Sequence, residues 1–464
     1  MNDLSAPARQ RARTLTQQLG THATNVRYDD IPPASIAAAK LFMLDTLAVA
    51  WAGSEAPGCR EVHALLADES GRADSTAWAF ASRLPATSAA FLNGMTAAAL
   101  DYDALGRRAP VHVPIVILPA ALAVAERTHA TGRDFLTALV VGSDLVCRLG
   151  AAVEPPHRGF FYSSTLGGFG AAAAAGRLLG LDATQVQHAL GIVYSEAGGT
   201  QQANIEPSLT KRMLSGYAAR AGVYAALLAQ RGITAPAEVI EGKFGLYALY
   251  QQGDPARLLD ELGTRFDNDQ LSIKKYPSCG CNHTAIAATL DLARRYDLSA
   301  DDVEAAEVAV SPFIDRISGM PYDPSGDPQV AAQFSIRYSI ACVLVRRKLG
   351  LAEIEPAAAL DPAITRHVGK VAVRVDPALT GERGPVTVTL RTRKHGEIAC
   401  TVEHVQGSVE SPLSQDELDE KFSECLQRGV APLGVAQIKA LTDRVLDIEQ
   451  VDDMAQFLQG LAST

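Results

Sequence analysis

Between about Pro32 and Tyr250, apolar residues recur at three- and four-residue spacing with polar positions between them, the period of helices that bury one face. The first clear helix follows Pro32-Pro33, carries Ile36, Met43, Leu44, Leu47 and Trp51 at largely that spacing, and stops at Gly53. The same pattern predicts helices near Pro85–Leu100, Pro114–His129, Asp134–Leu149, Thr165–Leu179, Ala183–Tyr194 and Leu209–Gln230. Gly180 and Gly232 close two of them, where a left-handed cap meets no Cβ penalty. Runs such as Gly170-Ala-Ala-Ala-Ala-Ala-Gly176 favour helix and predict axes that approach closely in a packed core. No repeat of fixed period occurs, which disfavours a helical solenoid.

After about Asp269 the period falls to two. Val308-Ala-Val310, Val371-Ala-Val-Arg-Val375, Val386-Thr-Val-Thr-Leu390 and Ile398-Ala-Cys-Thr-Val402 alternate, the last two around a turn at Lys394-His-Gly396. They predict a small antiparallel sheet. Helical stretches begin near His283 and Pro328, so the region reads as α+β. Ser414-Gln-Asp-Glu417 then has the form of a capping box and returns the chain to helix. The expected fold is mainly α: a large all-helical domain built from residues 1–268 and 409–464, with a smaller α+β domain, 269–408, inserted between them.

Composition narrows the function. At 464 residues, 47% hydrophobic and 20% charged, the chain has the balance of a soluble globular protein too long for one core. A formal charge of -10 argues against nucleic acid as a partner, which needs a basic face. It leaves room for an anionic substrate, because a pocket's field depends on local cations. The seven cysteines are too few and too scattered for a disulfide framework and are expected to be reduced thiols in a cytoplasm. The amino terminus lacks the apolar stretch of a secretory signal, and runs such as Val113–Ala125 stop short of a bilayer span, so no membrane partner is expected.

Two segments concentrate chemistry. In Ser208-Leu-Thr-Lys-Arg-Met-Leu-Ser-Gly-Tyr217, Lys211 sits near a helix start, where dipole and desolvation both favour a neutral, basic amine; a solvated first-turn lysine is the other reading. In Ser272-Ile-Lys-Lys-Tyr-Pro-Ser-Cys-Gly-Cys-Asn-His283, Lys274 and Lys275 point to opposite sides of an extended stretch, so only one faces a given pocket. Cys279, Cys281 and His283 lack the distant second ligand pair of a structural zinc site; the expectation is no metal, with one thiol lining a pocket and His283 nearby. His112 is an acid/base candidate because imidazole titrates near neutrality, against the reading of an ordinary packed histidine. Tyr162 can deliver a proton if a lysine steadies its phenolate. No Gly-x-Gly-x-x-Gly follows a strand, and neither a Walker lysine motif nor a Gly-x-Ser-x-Gly elbow occurs, so no nucleotide cofactor and no serine hydrolase chemistry is expected.

These segments, with Leu44-Asp-Thr-Leu-Ala-Val-Ala-Trp-Ala-Gly53, Leu92-Asn-Gly94 and Pro412-Leu-Ser414 ahead of Glu420-Lys-Phe422, closely resemble the MmgE/PrpD family over nearly the whole length. That family contains 2-methylcitrate dehydratases, cis-aconitate decarboxylases and iminodisuccinate epimerases. The resemblance implies the helical fold with an inserted α+β domain, a homodimer, and Lys211 as a catalytic base. It further implies substrate contacts from Asp101, Lys274 and Tyr322, with His112 in the active site. The chain departs from the family pattern at four positions. Ala104 and Val113 replace an acid and a proline, Phe161 stands where dehydratases and decarboxylases carry histidine, and Cys279 where some decarboxylases carry a second one.

Family substrates are small di- or tricarboxylates that lose a proton alpha to a carboxylate. Lys211, Arg212, Lys274 and an arginine of the Arg107-Arg108 pair are the cations available to steady that carbanion. One lost imidazole forfeits a factor on the order of 10² to 10⁴. The reading favoured on that ground is a cofactor-independent epimerase of the iminodisuccinate type with Lys211 and Tyr162 as opposed acid and base. The alternatives are a hydro-lyase using His112 and Lys211, a decarboxylase, and a non-catalytic family member.

Overall fold

The helix that opens at Pro33 runs to Gly53 in a computed structural model of the chain, which describes residues 13–69, 71–107 and 111–461. It is long and apolar enough to cross a bilayer, a longer apolar run than Val113–Ala125, but 78% of its most apolar window is buried inside the protein. The other predicted helices are Ala86–Ala98, Pro114–Thr128, Gly132–Ala151, Tyr162–Leu178, Ala183–Tyr194 and Thr210–Gln230. Tyr162–Leu178 starts earlier than the apolar period suggested, which puts Tyr162 in its first turn. Two more helices, Leu15–Asn25 and Cys59–Asp68, are short, 11 and 10 residues, and were not predicted although each has an apolar side. The first is begun by a capping box of Thr14 and Gln17.

Small residues set the spacing of these helices. A Cβ on Gly94 would stand 2.9 Å from Cα of Gly216, and one on Gly170 would stand 2.3 Å from the carbonyl oxygen of Gly142. Ala86–Ala98 therefore lies tightly on Thr210–Gln230, and Gly132–Ala151 on Tyr162–Leu178. The first pair matters most, because Asp101 follows one helix and Lys211 opens the other.

The four-stranded sheet runs in the order Val371–Val375, Val303–Val310, Val386–Thr392, Gly396–Val402. It is mixed, not antiparallel as the alternation suggested: Val308 pairs with Val373 in parallel and with Val388 in antiparallel register. Helices including Ile336–Arg346 and Pro362–Val368 lie between the two parallel strands in sequence and give the long crossover that parallel pairing needs. Alternation reports faces and not direction. His283–Arg295 and Ile336–Arg346 cover the sheet and bury Ala285, Leu292, Ile340 and Leu344 against Val308, Val388 and Leu390.

Two contacts join these parts around the site. Leu105–Gly106 pairs antiparallel with Leu271–Ser272, which draws the stretch after Asp101 alongside Lys274. Gln415–Leu426, started by the Ser414 and Glu417 capping box, packs back on Pro33–Gly53. Indole Nε1 of Trp51 donates to the carbonyl of Ala431 at 2.6 Å.

Candidate active site

Asp101 adopts φ 50°, a left-handed conformation that asparagine and aspartate enter more readily than other side chains. Its buried carboxylate takes two ammonium groups. Lys211, second residue of Thr210–Gln230, forms an ion pair through Oδ1, and Lys274 reaches Oδ2 at 2.8 Å and the Asp101 carbonyl at 2.7 Å. Burial alone would raise the Asp101 carboxyl, but Lys211 and Lys274 outweigh it and hold it far below the usual carboxylate range. Burial likewise opposes the charge on Lys274, and Asp101 and Asp103 overcome it and raise that amine. Lys275 turns the other way, to Glu417 at 2.6 Å, as alternation along an extended stretch requires.

Asp103 is fully buried and accepts from Nδ1 of His112 at 2.6 Å. That contact fixes the ring and leaves Nε2 as its exchangeable position. The His112 backbone N–H donates to Ser163 Oγ at 2.8 Å, and its ring lies 5.9 Å from that of Phe161. Phe161 thus packs on an imidazole instead of supplying one.

Tyr162 does not face Lys211. Its hydroxyl lies 2.8 Å from Nδ1 of His157 and 2.7 Å from Oε1 of Gln251, and Nε2 of His157 lies 3.4 Å from Glu382. Burial, then Glu382, push the phenol above its ordinary value, and the cation that opposes them is the Arg316 guanidinium. The opposed pair expected of Lys211 and Tyr162 is therefore not assembled.

Cys279 is buried beside Lys274. The neighbouring Cys281 thiol brings it down to about 7 against the upward pull of burial and Asp101, with Lys274 assisting. His283 is buried at the start of its helix, with Nε2 3.2 Å from the Ser278 carbonyl; burial and then Lys274 lower its ring to about 3 and keep it neutral. Among the described residues, no three His, Cys, Asp or Glu side chains come together as metal ligands.

Two expected substrate contacts lie elsewhere. Arg212 follows Lys211 on the helix and so points away from it, donating to the Pro57 carbonyl at 2.7 Å and to Gln329 at 3.2 Å. Tyr322 donates to the Ala359 carbonyl at 2.7 Å and stacks on Tyr338 at 5.1 Å. Both serve packing here. Arg107 pairs with Glu410, whereas Arg108 lies outside the described residues. A cavity of about 260 Å³ lies against Lys274, walled by Arg107, Glu382, Arg383 and His404.

Residues 17–259 match the MmgE/PrpD N-terminal domain and residues 276–448 the MmgE/PrpD C-terminal domain. The chain belongs to the MmgE/PrpD family. It is 26% identical over 471 residues to a cis-aconitate decarboxylase-like protein, oryM, of Aspergillus oryzae, with 96% of each chain covered. Similarity to the cis-aconitate decarboxylase of Aspergillus terreus is also 26%, over 477 residues and 96% of each chain. The human cis-aconitate decarboxylase is 25% identical over 471 residues, covering 97% of this chain and 95% of its own.

Two parts of this MmgE/PrpD site escaped sequence reasoning. His157 lies in Glu154-Pro-Pro-His-Arg158, a stretch with no period to place it; the neighbouring Tyr162, whose buried hydroxyl needs a partner, was the available signal. The family-like motifs around Asp45 and Lys421 gave no hint of each other. Folded, their charges pair at 2.6 Å, and Lys421 also donates to the carbonyls of Lys274 at 2.9 Å and Tyr102 at 3.0 Å.

Proposed function

We propose that this MmgE/PrpD protein is a lyase that releases carbon dioxide from a small di- or tricarboxylate of the cis-aconitate type, using side chains alone. The observation that carries the reading is His112, held on Asp103 next to the two lysines that share Asp101, with a second histidine, His157, bound to Tyr162, whose neighbour Phe161 packs on the His112 ring.

The epimerase expectation rested on missing imidazoles. His157 supplies a ring from upstream of Phe161, so the penalty of about 10² to 10⁴ for a lost general acid no longer weighs against a lyase. The names of the decarboxylase relatives favour the same side.

In the proposed reaction a carbon–carboxylate bond breaks, carbon dioxide leaves, and its electron pair stays on carbon, spread into a neighbouring carboxylate. Lys211 and Lys274 steady that charge, and a histidine returns one proton to the carbon. At rest, Lys211 and Lys274 are balanced by Asp101 and Asp103. An incoming carboxylate must therefore draw an ammonium away from Asp101, so binding is an exchange of partners.

The test is incubation of the pure protein with cis-aconitate and a panel of small di- and tricarboxylates in D2O, following carbon dioxide and the proton spectrum together. Carbon dioxide release with one deuterium in the product supports the reading. Deuterium uptake alone points to an epimerase, loss of water to a hydro-lyase, and no change with any acid to a non-catalytic member.

A further inference from the structure

Gln251 fixes more than its own place. Its buried Nε2 donates to the carbonyls of Glu154 at 2.6 Å and Pro156 at 3.0 Å, groups that only accept. Its Oε1 receives the backbone N–H of Arg158 at 3.1 Å, a group that only donates. The amide orientation is therefore determined, and Oε1 faces the Tyr162 hydroxyl as an acceptor at 2.7 Å.

A phenol has one proton. With that proton on Gln251, Tyr162 offers His157 only a lone pair, so Nδ1 of His157, 2.8 Å away, must carry hydrogen. Nε2 is then the position that gains and loses a proton. It faces Oε1 of Glu382 at 3.4 Å, a contact that is attractive when Nε2 is protonated. Glu382 and Lys274 line the same cavity.

Resting on the proton-transfer reading above, we infer that His157 is a catalytic acid acting through Nε2, and that Tyr162 and Gln251 are positioning residues that hold its proton on Nδ1. In the step, Nε2–H passes its proton to the carbanionic carbon, the imidazolium becomes a neutral Nδ1–H ring, and solvent restores the proton. The groups facing the ring are Tyr162, Glu382 and, edge-on at 5.8 Å, Phe313, with Gln251 behind the Tyr162 hydroxyl. Arg158 on the same loop, Arg316 on the helix Pro312–Ser318 and Arg383 beside Glu382 are the nearby cations. Sequence alone favoured Tyr162 as the acid; the hydrogen-bond directions transfer that part to His157.

The tautomer can be read without substrate. In protein labelled with nitrogen-15 histidine at about pH 8, where a free imidazole is neutral, the two-bond proton–nitrogen spectrum should show His157 with hydrogen on Nδ1. The signal is assigned by its loss in His157→Gln. Tyr162→Phe, which keeps the ring and removes the hydroxyl, should release His157 to the Nε2–H form. On the acid that the wild type turns over, His157→Gln should lower kcat by about 10² or more at nearly constant KM, and Tyr162→Phe by about 10-fold. A wild-type ring protonated on Nε2, or His157→Gln activity within about threefold of wild type, overturns the inference. A wild type inert toward every acid overturns the proposed reaction and the catalytic role with it, while the spectrum still decides the tautomer.

Discussion

The Lys421 ammonium, 2.6 Å from Oδ1 of Asp45, joins the Gln415–Leu426 helix to Pro33–Gly53 at a point where neither side chain meets solvent. It also holds the Lys274 and Tyr102 carbonyls and lies 4.1 Å above the Tyr102 ring. Burial raises the Asp45 carboxyl despite Lys421. The pair therefore organises more than it stabilises: it fixes the two backbone segments that present Asp101 and Lys274.

Lys421→Met should cost about 3–5 kcal/mol, because it strands a buried carboxylate. Urea denaturation measures this, and the double variant with Asp45→Asn should regain at least half of the loss. Full stability of the single variant would remove the argument.

Asp101→Asn keeps a side chain that tolerates φ 50° but removes the charge that two lysines share. The folded carboxyl lies below its unfolded value, so its stabilisation is present above about pH 4 and disappears as pH falls toward the folded value. Thermal midpoints across acidic pH should therefore fall less steeply in Asp101→Asn than in wild type. The variant should lose at least about 10² in kcat.

Asp103→Asn leaves the His112 ring without a carboxylate on Nδ1. The expected result is a kcat lower by about 10² or more with little change in KM. Combined with His112→Gln it should do no further harm, since both changes act through one ring. Additive losses in steady-state kinetics would show that Asp103 has another task.

Glu126, buried among the helices, accepts from the Thr76 N–H at 2.5 Å, and burial pushes its carboxyl up to about 7. Raised above its unfolded value, it favours the fold fully below about pH 4.5, and that contribution is lost as pH rises through about 7. Glu126→Gln should flatten the stability profile over this window. Denaturation midpoints at a series of pH values measure the slope, and an unchanged slope would contradict the assignment.

Long apolar helices were legible where a proline or glycine marks an end, as at Pro33, Gly53, Gly180 and Gly232, whereas the shorter Cys59–Asp68 and Val435–Leu446 were not. Nor was Leu15–Asn25, because its stripe of Leu15, Leu19 and Ala23 is thin and only the cap at Thr14 marks its start. Alternation placed only one of Lys274 and Lys275 toward the interior, the family resemblance named Lys274, and strand direction stayed open. Lys211, Lys274 and Asp101 were each singled out, yet the pairing of two amines on one acid depends on the close crossing of Gly94 and Gly216. His157 was hidden because an irregular loop carries it, and a pattern reading has no purchase where no pattern repeats.

Asp101 grips one amine from before residue 259 and one from after it, and so acts as a clasp between two lengths of polypeptide. A chain severed between residues 260 and 268 would divide the clasp, leaving Asp101 and Lys211 on one fragment and Lys274 on the other. Fragments of this protein should thus be inert when made singly and regain turnover only on reassociation, which makes the site a reporter of whether the two pieces have found each other.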